Sequence, residues 1–69
     1  MERLVINGRD AGEITSRRYN RVSEIDGCYN GWHFLIQSGY EIVIRGRNIK
    51  RMAPYTDKTG NYLKIDTFC

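Results

Sequence analysis

The segment RGRNIKRM, residues 45–52, contains the side chains best suited to binding a charged ligand. It carries a formal charge of +4 in a chain whose net charge is +3, so the remaining residues sum to −1. Guanidinium and ammonium groups are the side chains that bind phosphates and carboxylates. The segment therefore predicts an anionic partner, bound through Arg45, Arg47, Lys50 and Arg51.

Basic residues and tyrosines form a second group of candidate binding residues, made up of Arg17, Arg18, Arg21, Tyr19, Tyr29 and Tyr55. Small β-barrels bind single-stranded nucleic acid with cations on the phosphates and aromatic rings under the bases. Tyrosine and arginine are also enriched at the hot spots of protein–protein interfaces. The sequence leaves both partners open, a nucleic acid or a larger protein with an acidic groove.

Residue types that catalyse reactions are present, but they form no recognisable motif. The single histidine, His33, stands between Trp32 and Phe34, and a general base needs a positioned partner that no motif supplies here. Glu24 and Asp26 could share one strand face, which is typical of a solvated strand end. The sequence has no Gly-rich phosphate loop and no zinc or calcium ligand pattern. We predict a non-enzymatic protein with no catalytic residue, metal or cofactor.

Two short motifs bear on a possible nucleotide ligand. Arg17 and Arg21 give the spacing R-x-x-x-R, and residues 26–31 give D-x-C-x-x-G. Together they resemble the paired motifs of PilZ domains, β-barrels that bind cyclic di-GMP, which would imply a nucleotide-binding pocket. Cys28 stands where that family has serine, and the two motifs are nearly adjacent where the family separates them by strands. We therefore assign the chain to no family and keep a nucleotide pocket as a second alternative.

Cysteine usage and hydropathy indicate the compartment. Cys28 and Cys69 form no C-x-x-C pair, and we interpret both as free thiols in a reducing environment. The longest apolar runs, such as Leu4–Ile6 and Ile42–Ile44, are far too short for a membrane span. The sequence predicts a cytoplasmic protein with no membrane partner.

Strand-like segments separated by glycines indicate the fold class. The length of 69 residues fits one domain, residues 1–69. Alternating or β-branched runs cover residues 4–6, 32–37, 40–45 and 61–68, and Asn7-Gly8 is a strong hairpin-turn signal. Residues 15–26 fit a helix or a strand, and the β-rich surroundings favour the strand slightly. We predict an all-β fold, possibly with one short helix, of five or six strands in an SH3-like or OB-like barrel or a bent antiparallel sheet.

Side-chain alternation also predicts strand register. Placing Trp32, Phe34 and Ile36 on the face that holds Ile42 and Ile44 requires an odd-length or bulged connection at 38–40, and we expect Ile36 opposite Ile42. Residues 44–52 predict a hairpin in which cations lie opposite cations, an unfavourable pairing. Pro54 predicts a strand end or an edge strand. The predicted core is Leu4, Ile6, Trp32, Phe34, Ile36, Ile42, Ile44, Met52, Leu63 and Ile65.

These observations together predict a small binding module that docks on an anionic partner surface through a basic β-hairpin. A chain of this size without catalytic residues also fits the inhibitors and accessory proteins carried by phages and mobile elements. A single-stranded nucleic-acid-binding barrel is the first alternative. A homodimer stays possible because small domains gain stability by association.

Overall fold

The computed structural model describes residues 1–20 and 30–68, and most of them lie in strands. The prediction of an all-β fold is confirmed. The elements, in chain order, are β1 (Glu2–Ile6), β2 (Arg9–Asn20), β3 (Gly31–Ile36), β4 (Glu41–Arg45), a 3-10 helix (Gly46–Asn48), β5 (Ile49–Asp57) and β6 (Gly60–Thr67).

The strands form one sheet with the order β4-β3-β2-β1-β6-β5. All neighbouring pairs are antiparallel except β1 and β6, which run parallel with Leu4 opposite Leu63 and Ile6 opposite Ile65. The sheet is thus mixed, and the expectation of a purely antiparallel sheet is wrong. The sheet does not close into a barrel, because β4 and β5 remain its two ends.

The long strand β2 joins the two halves of the sheet. Its first half pairs with β1 and its second half with β3. The register shifts once in each ladder, which leaves Ala11 and Thr15 as extra residues on β2. Bulges of this kind bend a strand and increase its twist, so the two halves can fold towards one core. The strand interpretation holds for Thr15 to Asn20, and residues 21–26 lie outside the described part.

The core forms between the two halves of the bent sheet. Its buried members in the described residues are Leu4, Phe34, Ile36, Ile44, Leu63 and Ile65. Partly buried apolar side chains pack against them, namely Ile6, Ala11, Ile14, Trp32, Ile42, Ile49 and Met52. Every predicted core residue is therefore in the core or in contact with it. The prediction missed Ala11, Ile14 and Ile49, which lie beside bulges or at strand ends where simple alternation is lost.

The turns agree with the sequence at three places. Asn7 and Gly8 both have positive φ, 51° and 82°, as a tight two-residue hairpin turn requires. The β3–β4 connection has odd length, because Ile36 faces Tyr40 across residues 37–39. Trp32, Phe34 and Ile36 do share a face with Ile42 and Ile44. The predicted register of β3 against β4 was wrong by two residues, because Phe34 and not Ile36 lies opposite Ile42. Pro54 lies on β5, which is an edge of the sheet.

The predicted hairpin over residues 44–52 is wrong. Strand β4 pairs with β3, and β5 pairs with β6 at the other end of the sheet. The 3-10 helix Gly46–Asn48 is a link between the two sheet ends and not a hairpin turn. The reason is that β3 and β6 carry buried core side chains, so pairing β4 with β5 would remove the strands that flank this core.

Candidate functional site: a basic corner

Four cations surround the link between the two sheet ends. Arg45 ends β4, Arg47 lies in the 3-10 helix, and Lys50 and Arg51 begin β5. Arg47, Lys50 and Arg51 are exposed, and Arg45 is half-buried. We call this group the basic corner, consisting of Arg45, Arg47, Lys50 and Arg51. These four residues follow one another around the link, and not in the hairpin that the sequence predicted.

The basic corner rests on a tightly packed turn. The backbone N–H of Gly46 donates to the carbonyl of Asn30 at 2.8 Å. A Cβ atom on Gly46 would lie 2.9 Å from the Tyr19 hydroxyl oxygen, so glycine lets this hydroxyl approach the backbone. The Tyr19 ring in turn packs edge-on against Trp32, with ring centroids 5.3 Å apart. Tyr19 therefore packs beside the turn, and because its side chain is 42% exposed, the predicted ligand contact stays a prediction.

The expected repulsion between cations across a ladder does not occur. Arg45 lies opposite Gly31, and Arg51 lies opposite Asp66. A register shift makes Lys50 an extra residue on β5, so Lys50 and Arg51 together oppose a single partner residue, as in other bulges. Asp66 thus provides a carboxylate opposite this pair. Cations on an edge strand can also block unwanted strand pairing, so part of this charge has a structural explanation.

A shallow groove borders the basic corner. It encloses about 340 Å³ and is lined by Val43, Ile44, Arg45, Asn48, Thr67 and Phe68. The N–H of Phe68 donates to the Asn48 carbonyl at 2.9 Å, which holds the chain after β6 against the corner. The Phe68 side chain is nonetheless 62% exposed. The corner therefore presents an apolar ring next to its cations.

The other predicted binding residues are dispersed. Arg17 forms an ion pair with Glu2 at 2.8 Å, while Arg18 is exposed opposite His33. Tyr55 lies on β5, away from the turn that Tyr19 supports. Arg21 and Tyr29 lie outside the described residues. The four described members of the second group therefore do not form one site within residues 1–20 and 30–68.

A second cavity lies on the face of β5 and β6 that points away from the core. It encloses about 390 Å³, and Tyr55, Lys64 and Arg51 are among the residues that line it. The Lys64 ammonium lies 4.1 Å from the centroid of the Tyr55 ring, and Tyr62 packs beside that ring at 6.3 Å. Sequence reasoning missed Tyr62 and Lys64. The alternation of β6 puts both on one face, but only the pairing with Tyr55 shows that they form a group.

His33 is a largely enclosed ionisable side chain on β3, the partner of β4. Its side chain is 15% exposed, and the Asn20 amide nitrogen lies 3.2 Å from Nε2. An amide that donates to Nε2 leaves the ring proton on Nδ1, which lies 3.8 Å from a Glu41 carboxylate oxygen. Nδ1 is buried and lacks a hydrogen-bond partner in residues 1–20 and 30–68. The Asn20 amide and the Glu41 carboxylate thus flank the two ring nitrogens.

Metal-ligand clusters and membrane-spanning helices are both absent from residues 1–20 and 30–68. The described parts of the chain contain no cluster of three or more histidine, cysteine, aspartate or glutamate side chains that could bind a metal ion. None of the described segments forms a helix with the length and apolar character needed to cross a bilayer. In comparisons with known proteins, no family model, curated protein or solved structure matches this chain.

Proposed function

We propose that this protein is a non-enzymatic binding module that docks on an anionic surface of a larger protein through the basic corner. The observation that carries the proposal is the position of Arg45, Arg47, Lys50 and Arg51 around one supported turn. Holding the turn rigid reduces the entropy that a partner must remove on binding. Like the small inhibitors and accessory proteins of phages and mobile elements, it would act by covering part of the partner's surface.

The apolar residues next to the cations favour a protein over a nucleic-acid backbone. Phe68 is 62% exposed and Val43 is 38% exposed, and both line the groove at the corner. A protein surface can offer an apolar pocket beside a carboxylate, whereas a phosphate backbone offers only charge. Aromatic rings with neighbouring arginines are the usual anchors of protein interfaces. An acidic protein groove with an apolar floor fits this combination best.

The proposal is tested by comparing two charge-reversed variants in a pull-down from cells in which the protein is made. The first variant, Arg47→Glu with Lys50→Glu, changes the corner without touching β4. The second, Arg9→Glu with Lys58→Glu, makes the same change in net charge at exposed positions away from the corner. We expect a captured protein that is lost from the corner variant and retained by the control. Equal capture by both variants would exclude the corner as the docking surface.

A second candidate function is binding of single-stranded nucleic acid on the outward face of β5 and β6. The specific observation is the cavity where Tyr55, Lys64 and Arg51 lie together. Rings and cations in this arrangement can stack on bases and neutralise phosphates. A gel shift with a single-stranded oligonucleotide tests this function. Affinity should fall with salt by about 0.7 log units per log of salt for each phosphate contacted, and Tyr55→Ala should weaken it. No shift at low salt would eliminate this candidate.

A further inference from the structure

Among residues 1–20 and 30–68, β4 and β5 are the two edge strands of the sheet, and they differ in how they could accept a neighbour. Strand β5 carries the bulge at Lys50, two consecutive cations and Pro54. These are devices by which natural sheets prevent edge pairing. Strand β4, with the sequence EIVIR, has neither a bulge nor a proline, and Ile42, Val43 and Ile44 form a continuous apolar run. Of the two edges, β4 is therefore the one suited to strand addition.

The hydrogen-bond pattern shows which backbone groups of β4 point away from β3. The N–H of Ile36 donates to the Tyr40 carbonyl, and the N–H of Gly46 donates to the Asn30 carbonyl. Residues 36 and 40 therefore form a hydrogen-bonded pair, and so do residues 30 and 46. Hydrogen-bonded and non-hydrogen-bonded pairs alternate along an antiparallel ladder. Ile42 and Ile44 therefore direct their backbone groups towards β3. Glu41, Val43 and Arg45 direct theirs to the outer side of the edge strand.

The side chains of Glu41, Val43 and Arg45 could pair with the same three side chains of a second copy. In an antiparallel pairing of two β4 strands centred on Val43, each Glu41 lies opposite Arg45 of the second copy, and the two Val43 residues face each other. The same residues supply the outward backbone groups and the matching charges. Arg45 keeps its existing contacts in this arrangement, because a guanidinium group has five donors and can bind an additional carboxylate.

We propose that the protein forms a homodimer by antiparallel pairing of β4 with β4 of a second copy, with the two-fold axis at Val43. The pairing is isologous, so every contact occurs twice. It extends the sheet across both copies and brings together the exposed Val43 side chains. A groove opens beside Val43 and Arg45, and Thr67 and Phe68 form its other wall. A single strand pair buries a small interface, so we expect an association in the micromolar range or weaker.

A charge-swap series tests the proposed register by sedimentation equilibrium. Glu41→Arg and Arg45→Glu each place like charges opposite each other at two symmetric positions. We expect each to raise the dimer dissociation constant about tenfold or more. The double variant Glu41→Arg with Arg45→Glu restores both pairs and should recover most of the wild-type affinity. Lys58→Glu, in the distant β5–β6 turn, is the matched control and should leave the dissociation constant unchanged.

A cross-linking experiment tests the two-fold axis without depending on charge. With both native cysteines replaced by serine, Val43→Cys should give a disulfide-linked dimer on mild oxidation. Residues facing each other in a hydrogen-bonded antiparallel pair have Cα atoms about 5.5 Å apart, within the range of a disulfide. Leu35→Cys is similarly exposed but lies on the interior strand β3 and should cross-link much less.

Three results would overturn the dimer: a wild-type chain that stays monomeric at millimolar concentration, a double variant that fails to recover affinity while circular dichroism shows it folded, or equal cross-linking at positions 43 and 35. The dimer would cover Val43 and Arg45, which the docking proposal also uses, but the docking function has a separate test. That function is tested with Arg47 and Lys50, which lie outside β4.

Discussion

Gly12 on β2 lies directly beneath Ile36 on β3: a Cβ atom at Gly12 would come within 2.6 Å of the Ile36 Cγ2 atom. Gly12 also has a φ of +118°, in a region that residues with side chains rarely adopt. The contact lies between the two bulges of β2, where the strand bends around the core. The bend therefore depends on the absence of a side chain at this one position.

The first prediction concerns this close approach. Gly12→Ala should lower the free energy of unfolding by about 2–4 kcal/mol, because it combines backbone strain with a clash against a buried side chain. Gly8→Ala is the matched control: its φ is +82°, but no atom lies within 4 Å of the added Cβ, so it should cost only about 1–2 kcal/mol. Urea denaturation measures both. Equal losses would show that the contact with Ile36 is easily relieved.

The second prediction compares the same substitution at a buried and an exposed leucine. Leu4 is fully buried in the core, while Leu35 is 42% exposed on the opposite face of the sheet. Leu4→Ala should cost about 2–5 kcal/mol because it leaves a cavity, and Leu35→Ala should cost less than about 1 kcal/mol. Thermal or chemical unfolding of both variants provides the measurement. A large loss for Leu35→Ala would mean that its face is covered in solution.

The third prediction concerns acid. The pKa of Asp10 is held below its ordinary value of 3.8, mainly by the hydrogen bond from Arg3 and then by the Gly12 N–H. The pKa of Asp57 is lowered from the same value by hydrogen bonds from the Thr59 hydroxyl and N–H. Lowered folded-state pKa values stabilise the fold above the unfolded-state pKa, and this contribution is lost as the pH falls through the folded-state pKa.

Stability should therefore decline below about pH 4, as measured by urea midpoints across the acid range. In the double variant Asp10→Asn with Asp57→Asn, that decline should be shallower. Arg3→Met should reproduce the Asp10 part of the effect, because it removes the main cause of the lowered pKa. If the double variant lost stability with falling pH as steeply as the wild type, Asp10 and Asp57 would not be the source of the acid sensitivity.

The fourth prediction concerns the turn residue Asn7, which joins the β1–β2 turn to the end of β6. Its side-chain amide donates to the Thr67 hydroxyl at 2.8 Å, and its side-chain carbonyl accepts from the Thr67 N–H at 2.9 Å. Asn7→Gly keeps the positive φ and loses both bonds, so it should cost about 0.5–1.5 kcal/mol. Asn7→Ala should cost about 1 kcal/mol more, since it adds backbone strain.

Hydrogen exchange of the Thr67 amide provides a local measurement of the same bonds. Protection should fall in both Asn7 variants, because both lose the acceptor for this amide. If Asn7→Gly kept the wild-type stability and the wild-type protection of the Thr67 amide, the two side-chain hydrogen bonds would contribute nothing. Asn7 would then matter only for its positive φ in the turn.

Local features of the fold could be predicted from the sequence, and long-range ones could not. The Asn7-Gly8 turn and the core residues follow from short-range patterns, because alternation and turn chemistry are properties of a few neighbouring residues. The parallel pairing of β1 with β6 has no local signal. Without it, β4 and β5 seemed to be hairpin partners, since strands joined by short loops usually pair.

The candidate site shows the same division. The four cations of the basic corner are close in sequence, so no knowledge of the topology was needed to group them. The support of Gly46 by Tyr19 joins residues from different strands, and only the register of β2, β3 and β4 reveals it. The group formed by Tyr55, Tyr62 and Lys64 likewise depends on the β5–β6 pairing.

The parallel ladder between β1 and β6 has a consequence for biosynthesis. This ladder joins residues 2–6 to residues 61–65, so a ribosome must synthesise all the residues between them before the two strands can meet. Until then β1 can hold only its hairpin with β2, and Leu4 lacks its neighbour Leu63. Ladders that close such long loops form slowly. We therefore expect the pairing of β1 with β6 to limit the rate of refolding. We also expect the nascent chain to be sensitive to proteases until β6 has been synthesised.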